Sequence, residues 1–232
     1  MNAFDHSIIS HLNAFARHST TFDNLVVYVS RSGLVKGDVA MSVFWWKWFR
    51  ARHTVPEARA SLFATLIGAL LSIVGGRVLA TLLPFRLRPI HDPSVQFVAP
   101  FGSDLGELRG WSSFPSDHAM LFFELAVGML YVSRVAGLAL LVQAAFVVCL
   151  PRVYLGLHYP TDILGGAAIG ALTAILFNVP RLRDWLARPF LRLLQRSPSA
   201  FYTLLFFLSV QVTTMFDDFR TLLVLLGRIG RP

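Results

Sequence analysis

The sequence predicts an all-α fold: a polytopic membrane helical bundle of about six transmembrane helices, with interfacial helices at the N-terminus. Three observations predict it. Hydrophobic residues make up 55% of the 232-residue chain and charged residues only 15%, with a mean hydropathy of +0.59. A soluble domain of this size carries about a quarter charged residues. The apolar residues also fall in long runs of membrane-spanning length. Finally, the basic residues behind the net charge of +8 cluster between those runs, as cytoplasmic loops do. That clustering argues for the lipid bilayer as partner and against nucleic acid.

Taken in order, residues 3–17 place Phe4, Ile8, Leu12 and Phe15 on one helical face, with Asp5, His6, His11 and Arg17 elsewhere, which suits a helix lying in the membrane interface. No cleavable signal peptide is evident, because the first basic residue is Arg17 and no apolar core precedes it. Asn24–Ser30 is apolar but too short to span. Residues 1–33 therefore form an interfacial segment. Gly33 and Gly37 bracket the entry to a first span, Leu34–Phe49, whose Trp45, Trp46 and Trp48 suggest an interfacial aromatic belt. Lys47, Arg50, Arg52 and Arg59 mark the next loop as cytoplasmic. Ala60–Leu83 is a second span, delivering Arg86 and Arg88 to the opposite face. The long connection Pro84–Phe114 is broken by prolines and glycines; loops of this length usually carry function.

Ala119–Val132 is the third span and Val135–Leu150 the fourth. Pro160–Asn178 is the fifth, where Gly165, Gly166 and Gly170 permit close helix packing. Arg181, Arg183, Arg188, Arg192 and Arg196 make residues 179–199 a basic cytoplasmic loop. Residues 200–232 add a sixth span, Phe201–Phe216, the acidic pair Asp217 and Asp218, and a surface helix over Thr221–Gly227. Cys149, the single cysteine, lies in an apolar run, so neither an intramolecular disulfide nor a thiolate metal cluster can form. The histidines show no metal-ligand spacing, and no metal or cofactor is expected.

The chemistry concentrates in Pro151-Arg-Val-Tyr-Leu-Gly-Leu-His-Tyr-Pro-Thr-Asp162. Here His158 stands four residues before Asp162, with Pro160 opening a helix between them. A carboxylate there can reach back and fix the tautomer of an imidazole that serves as nucleophile or base. Arg152 adds a planar donor suited to phosphate oxygens. Alone, such a His and Asp are more often a cap and a solvated ring. Two further segments change the weight: Arg88-Pro89 and Pro115-Ser-Asp-His118. Ser116 and Asp117 stand at a helix start, where backbone N–H groups cradle phosphate, although simple N-capping would explain them equally.

Together, in this order, the three segments resemble the signature of the type 2 phosphatidic acid phosphatase superfamily: Lys-x6-Arg-Pro, Pro-Ser-Gly-His and Ser-Arg-x5-His-x3-Asp. The resemblance covers roughly residues 34–178, the membrane phosphatase core. It implies that His158 attacks phosphorus to form a phosphohistidine, that Asp162 orients its ring, and that His118 protonates the leaving oxygen. It assigns the phosphate oxygens to Arg88, Ser116, Asp117 and Arg152.

Three departures matter. Thr81 occupies the lysine position and cannot supply its charge; Arg77 or Arg86 is expected to compensate. Asp117 replaces glycine, which adds repulsion toward phosphate unless the carboxylate points away. Pro151 replaces the serine before Arg152. The Pro-Ser-Asp-His variant with threonine at the lysine position is similar to the family branch that hydrolyses undecaprenyl diphosphate. That implies a lipid diphosphate substrate at a periplasmic-side site in the bacterial inner membrane. Phosphatidylglycerophosphate or phosphatidate phosphatase, and lipid A 1-phosphatase or phosphotransferase, stand as alternatives, the last because Val135–Leu138 and Pro151–Val153 also resemble lipid A-modifying relatives. A degenerate lipid-binding or transport protein is the reading from outside the enzyme class.

Overall fold

The structure is a computed structural model that describes residues 1–51, 56–106 and 108–215. Its regular elements are all helical among the described residues. Two short helices come first, α1 (Ala3–Asn13) and α2 (Thr20–Arg31), capped by Asn2 and Ser19, whose side chains accept the backbone N–H groups of Asp5 and Phe22. A π-helical stretch, Leu34–Asp38, leads into α3 (Val39–Arg50), and α4 covers Pro56–Leu82. After the long irregular connection come α5 (Asp117–Leu130), α6 (Arg134–Val142), a second π-helical stretch at Gln143–Cys149, α7 (Leu150–Tyr154) and α8 (Pro160–Phe177). The helices α9 (Pro180–Arg196) and α10 (Pro198–Thr213) close the described chain.

Among the described residues, the expected spans fall on residues 34–50, α4, α5, residues 134–154, α8 and α10. Glu57–Leu82, Arg134–Tyr154 and Pro160–Phe177 are long and apolar enough to cross a membrane by length and composition, and Pro198–Thr213 is a shorter apolar helix. Three of the six expected spans reach that length, and the others fall on shorter helices. Phe216, Asp217, Asp218 and the helix expected at Thr221–Gly227 lie outside the described residues.

The bundle centres on α5, which packs against α4, α6 and α8. Its approach to α8 depends on the glycines that the sequence singled out. A Cβ on Gly170 would stand 2.1 Å from the Met120 carbonyl oxygen, and one on Gly166 would stand 2.5 Å from that of Ser116. Only hydrogen fits there, so the two backbones touch. Gly165 faces the Phe114 ring in the same way.

Several expectations change. The indoles of α3 are not a shared belt. Trp48 is 2% exposed and stacks on Phe201, and Trp45 donates to Ser209 Oγ at 3.1 Å. Only Trp46 is open, with the Lys47 and Arg50 cations over its ring. The helical period could not reveal α10 arriving on that face. Residues 179–199 hold a helix rather than a loop: α9 is amphipathic, buries Ala187 and lays Phe190 on Phe63 at 4.0 Å between ring centroids. Its density of arginines hid that apolar stripe. In α1 the buried residues are Asp5 and Ile9, while Phe4 is half exposed. The docked face of that helix combines the buried Asp5 carboxylate with Ile9, and with Ile8 and Leu12 packed against the core.

Candidate active site

One cavity of about 340 Å³ opens at the end of the bundle where α4 finishes and α5 and α8 begin. Backbone hydrogen bonds gather the three motif segments beneath it. Ser113 N–H donates to the Arg86 carbonyl at 2.8 Å, Ile90 N–H to that of Gly156 at 3.0 Å, and Ser116 N–H to that of Asp162 at 3.3 Å. The long connection is therefore sewn to both helix starts, which brings residues 70 positions apart into contact.

His158 is 1% exposed and lines the cavity. Its Nδ1 lies 2.8 Å from the Ser113 carbonyl oxygen. A carbonyl can only accept, so Nδ1 carries the hydrogen and Nε2 keeps the lone pair. Arg88 Nη1, which can only donate, stands 3.2 Å from Nε2 and fits that tautomer. The Asp162 carboxylate is 3.8 Å from Nδ1, beyond hydrogen-bond length. The sequence suggested that Asp162 would fix the tautomer directly; the Ser113 backbone does so instead. Asp162 acts one layer behind, accepting from the Ser113 hydroxyl, from Tyr159 N–H at 2.8 Å and from Arg86 Nη1 at 2.6 Å. Burial pushes the His158 pKa below the usual 6.5. The neighbouring Asp162 carboxylate pulls it up, while Arg88 and Arg152 push it further down.

Arg88 is buried and fixed by backbone acceptors: Leu157 at 2.6 Å, Ser112 at 3.0 Å and Trp111 at 3.3 Å. Arg152 is buried across the cavity, with Nη1 3.4 Å from Ser30 Oγ. His118, on the first turn of α5, faces the same cavity. The Asp117 carboxylate turns onto its own neighbour: Oδ1 accepts the His118 backbone N–H at 2.8 Å and lies 3.0 Å from His118 Nδ1. The carboxylate expected to repel phosphate thus has donors within its own helix turn, although Asp117 still lines the cavity. Ser116 is fully buried and caps α5 by accepting Ala119 N–H at 3.4 Å, and it does not line the cavity. The capping explanation describes its hydroxyl.

The three residues considered for the missing lysine separate clearly. Thr81 is exposed and its hydroxyl donates to the Val78 carbonyl at 2.8 Å. Arg86 is held by Asp162, by Asp5 at 2.8 Å and by Thr161 at 2.9 Å, with Tyr159 against its guanidinium; it does not line the cavity. Arg77 does line it, and donates to the Met215 carbonyl at 2.9 Å. Sequence reasoning missed Lys36, which also lines the cavity. The signal was present: a lone lysine near the start of an apolar span, where an ionisable residue marks function by default. It also missed Asp5, whose buried carboxylate accepts from Arg86, Asn2 and Thr161 and ties α1 to the start of α8. No local pattern announced that contact.

No cluster of three or more His, Cys, Asp and Glu side chains suited to a metal ion occurs among the described residues. The arrangement offers a buried neutral imidazole with its Nε2 lone pair toward the cavity, a second imidazole backed by a carboxylate, and guanidinium groups lining the same cavity. This is the equipment for covalent transfer of an anionic group.

Comparison with known proteins agrees with that chemistry. Residues 57–183 match the model of the PAP2 superfamily. The chain is 24% identical over 192 residues to the undecaprenyl-diphosphatase BcrC of Bacillus subtilis (strain 168), covering 83% of this chain and 90% of that protein. It is 33% identical over 148 residues to the lipid A 1-phosphatase of Rhizobium johnstonii, covering 56% and 55% respectively. Among solved structures, it resembles the transmembrane PAP2 type phosphatidylglycerolphosphate phosphatase from Bacillus subtilis, with a TM-score of 0.50, 21% identity, and 75% of this chain and 82% of that one covered.

Proposed function

The chain belongs to the PAP2 superfamily, as an integral membrane phosphatase, and from that premise we propose that it hydrolyses undecaprenyl or a similar polyprenyl diphosphate to the monophosphate. The observation that carries the reaction is the cavity shared by His158 and His118, with Arg88 and Arg152 beside them. The diphosphate is supported by the likeness to an undecaprenyl-diphosphatase, which extends over most of both chains, whereas the lipid A 1-phosphatase aligns over about half of each.

In the proposed reaction, His158 Nε2 attacks the terminal phosphorus. Arg88 shifts its N–H from Nε2 to a non-bridging oxygen, and Arg152 meets another, so the donors are in place before charge develops. The bond from phosphorus to the bridging oxygen breaks as the P–N bond forms. His118, held by Asp117, gives its proton to the departing oxygen and the polyprenyl monophosphate leaves. Water then attacks phosphorus, His118 takes its proton, the P–N bond breaks and orthophosphate is released. Because the cavity sits at the end of the helices, the phosphates lie at headgroup depth while the tail stays in the hydrocarbon. The proposed setting is the bacterial inner membrane with the cavity on the periplasmic side.

The test is phosphate release by detergent-purified protein with EDTA present, on undecaprenyl diphosphate, phosphatidylglycerophosphate, phosphatidate and lipid A. Metal-independent release chiefly from undecaprenyl diphosphate is expected. Preference for another lipid would replace the substrate. No release from any of them by folded protein would overturn the reaction.

The pH profile follows from His158. The neutral ring is the nucleophile and its pKa is depressed, so it stays competent as pH falls through 6.5, the ordinary imidazole value. After correction for the substrate's own phosphate ionisation, the acid limb of kcat/KM is expected below pH 6.5. A limb centred above 6.5 would contradict this assignment.

A further inference from the structure

Among the described residues, five cationic side chains line the cavity, and only Arg88 and Arg152 belong to the motif segments. Arg31 comes from the last turn of α2, Lys36 from the π-helical stretch before α3, and Arg77 from α4. Arg31 and Lys36 lie outside the family-matched region altogether. A phosphate held by Arg88, Arg152 and the start of α5 already has donors for its three terminal oxygens. The other three cations are additional, in a cavity sized for a whole ligand headgroup.

Lys36 is built into its place. Its side chain is buried and its ammonium donates to the Ser30 carbonyl, on the same residue whose hydroxyl meets Arg152. Gln143, at the start of the second π-helical stretch, donates to the carbonyls of Lys36 and Val35 at 2.9 and 3.0 Å. Gly37 lets this turn press against α10, since a Cβ there would meet Thr213 Cα at 2.5 Å. Holding a lysine this firmly at a cavity wall serves a ligand better than solvent, because the entropy of a flexible cation is lost in advance.

We propose that Lys36, together with Arg31 and Arg77, forms a second anion subsite that receives the phosphate adjoining the one attacked. In a diphosphate this is the leaving phosphate, so the subsite selects diphosphates over monophosphates. The inference rests on the reaction read above and adds to it the groups that hold the departing charge. When the bridging P–O bond breaks, its electron pair remains on the leaving monophosphate, and the ammonium of Lys36 stabilises that charge without itself transferring a proton.

Competitive inhibition by inorganic pyrophosphate and by orthophosphate, with EDTA present, tests the subsite on whichever lipid the wild-type enzyme turns over. Lys36→Met is expected to raise the inhibition constant for pyrophosphate about tenfold or more and to leave that for orthophosphate within about threefold, with Lys36→Arg recovering part of the difference. An equal rise for both anions would assign Lys36 to the attacked phosphate and overturn the subsite. No change for either would overturn it as well. Because the comparison needs only an active enzyme, failure of wild type to hydrolyse polyprenyl diphosphate would count against the substrate reading alone. A melting temperature for Lys36→Met in detergent within a few degrees of wild type shows that the fold is retained.

Discussion

Replacing His158 with alanine is expected to lower kcat by at least about 10⁴-fold, with the protein still folded. The argument begins with the tautomer. The Ser113 carbonyl holds Nδ1–H, so the only lone pair on the ring is at Nε2, toward the cavity and Arg88. Among the described residues no other imidazole is oriented to replace it: His118 has its Nδ1 against Asp117 and faces the cavity from the start of α5. Because His158 lines the cavity, water can fill the space that alanine leaves and meet the Ser113 carbonyl, so the loss should fall on turnover rather than on folding. The checks are single-turnover phosphate release and trapping of an acid-labile, base-stable phosphoprotein from wild type. Turnover within about tenfold of wild type would remove His158 from the role of nucleophile.

Arg88→Lys is expected to lower kcat/KM about 10²- to 10³-fold although the charge is kept. Arg88 makes four directed contacts at once: the carbonyls of Leu157, Ser112 and Trp111, and His158 Nε2. A planar fork serves acceptors on several sides, while a lysine ammonium is a single point with three rotatable donors. Lysine would leave at least one buried carbonyl unsatisfied and could not present a rigid N–H to the phosphate. A fall of less than tenfold, measured on the best lipid substrate, would show that Arg88 supplies charge rather than geometry.

The sequence made the fold class and the candidate site residues legible for different reasons. Apolar runs of spanning length follow from the bilayer itself, so α4, residues 134–154 and α8 could be placed within a few residues. His158, His118, Arg88 and Arg152 were legible because the three segments that hold them, kept in order, resemble the family signature, although each residue alone has a plainer explanation. What depended on distant chain was not legible. Nothing near Ser113 announced that its carbonyl would hold His158 across 45 residues. Asp5 read as the polar side of a surface helix, yet it is fully buried against Arg86 and Thr161. Trp45 and Trp48 looked like interfacial anchors until α10 covered them. The missing family lysine could be seen from Thr81 alone, but Lys36 could be placed on the cavity wall only once the turn before α3 met it.

The two π-helical stretches carry a consequence for how such a cavity can change over evolutionary time. A π turn holds one residue more than an α turn, and each α-helical residue advances about 100° around the axis. Losing a single residue from Leu34–Asp38 would relax that stretch to α-helix and rotate everything on one side of it by that angle, swinging Lys36 off the cavity wall. The same loss within Gln143–Cys149 would displace Gln143 relative to Arg152, which follows on α7. The two stretches thus act as angular adjusters on neighbouring helices, locked to one another by the Gln143 amide. A lineage could re-aim a cation by one insertion or deletion in either stretch while every apolar contact beyond it kept its own pattern.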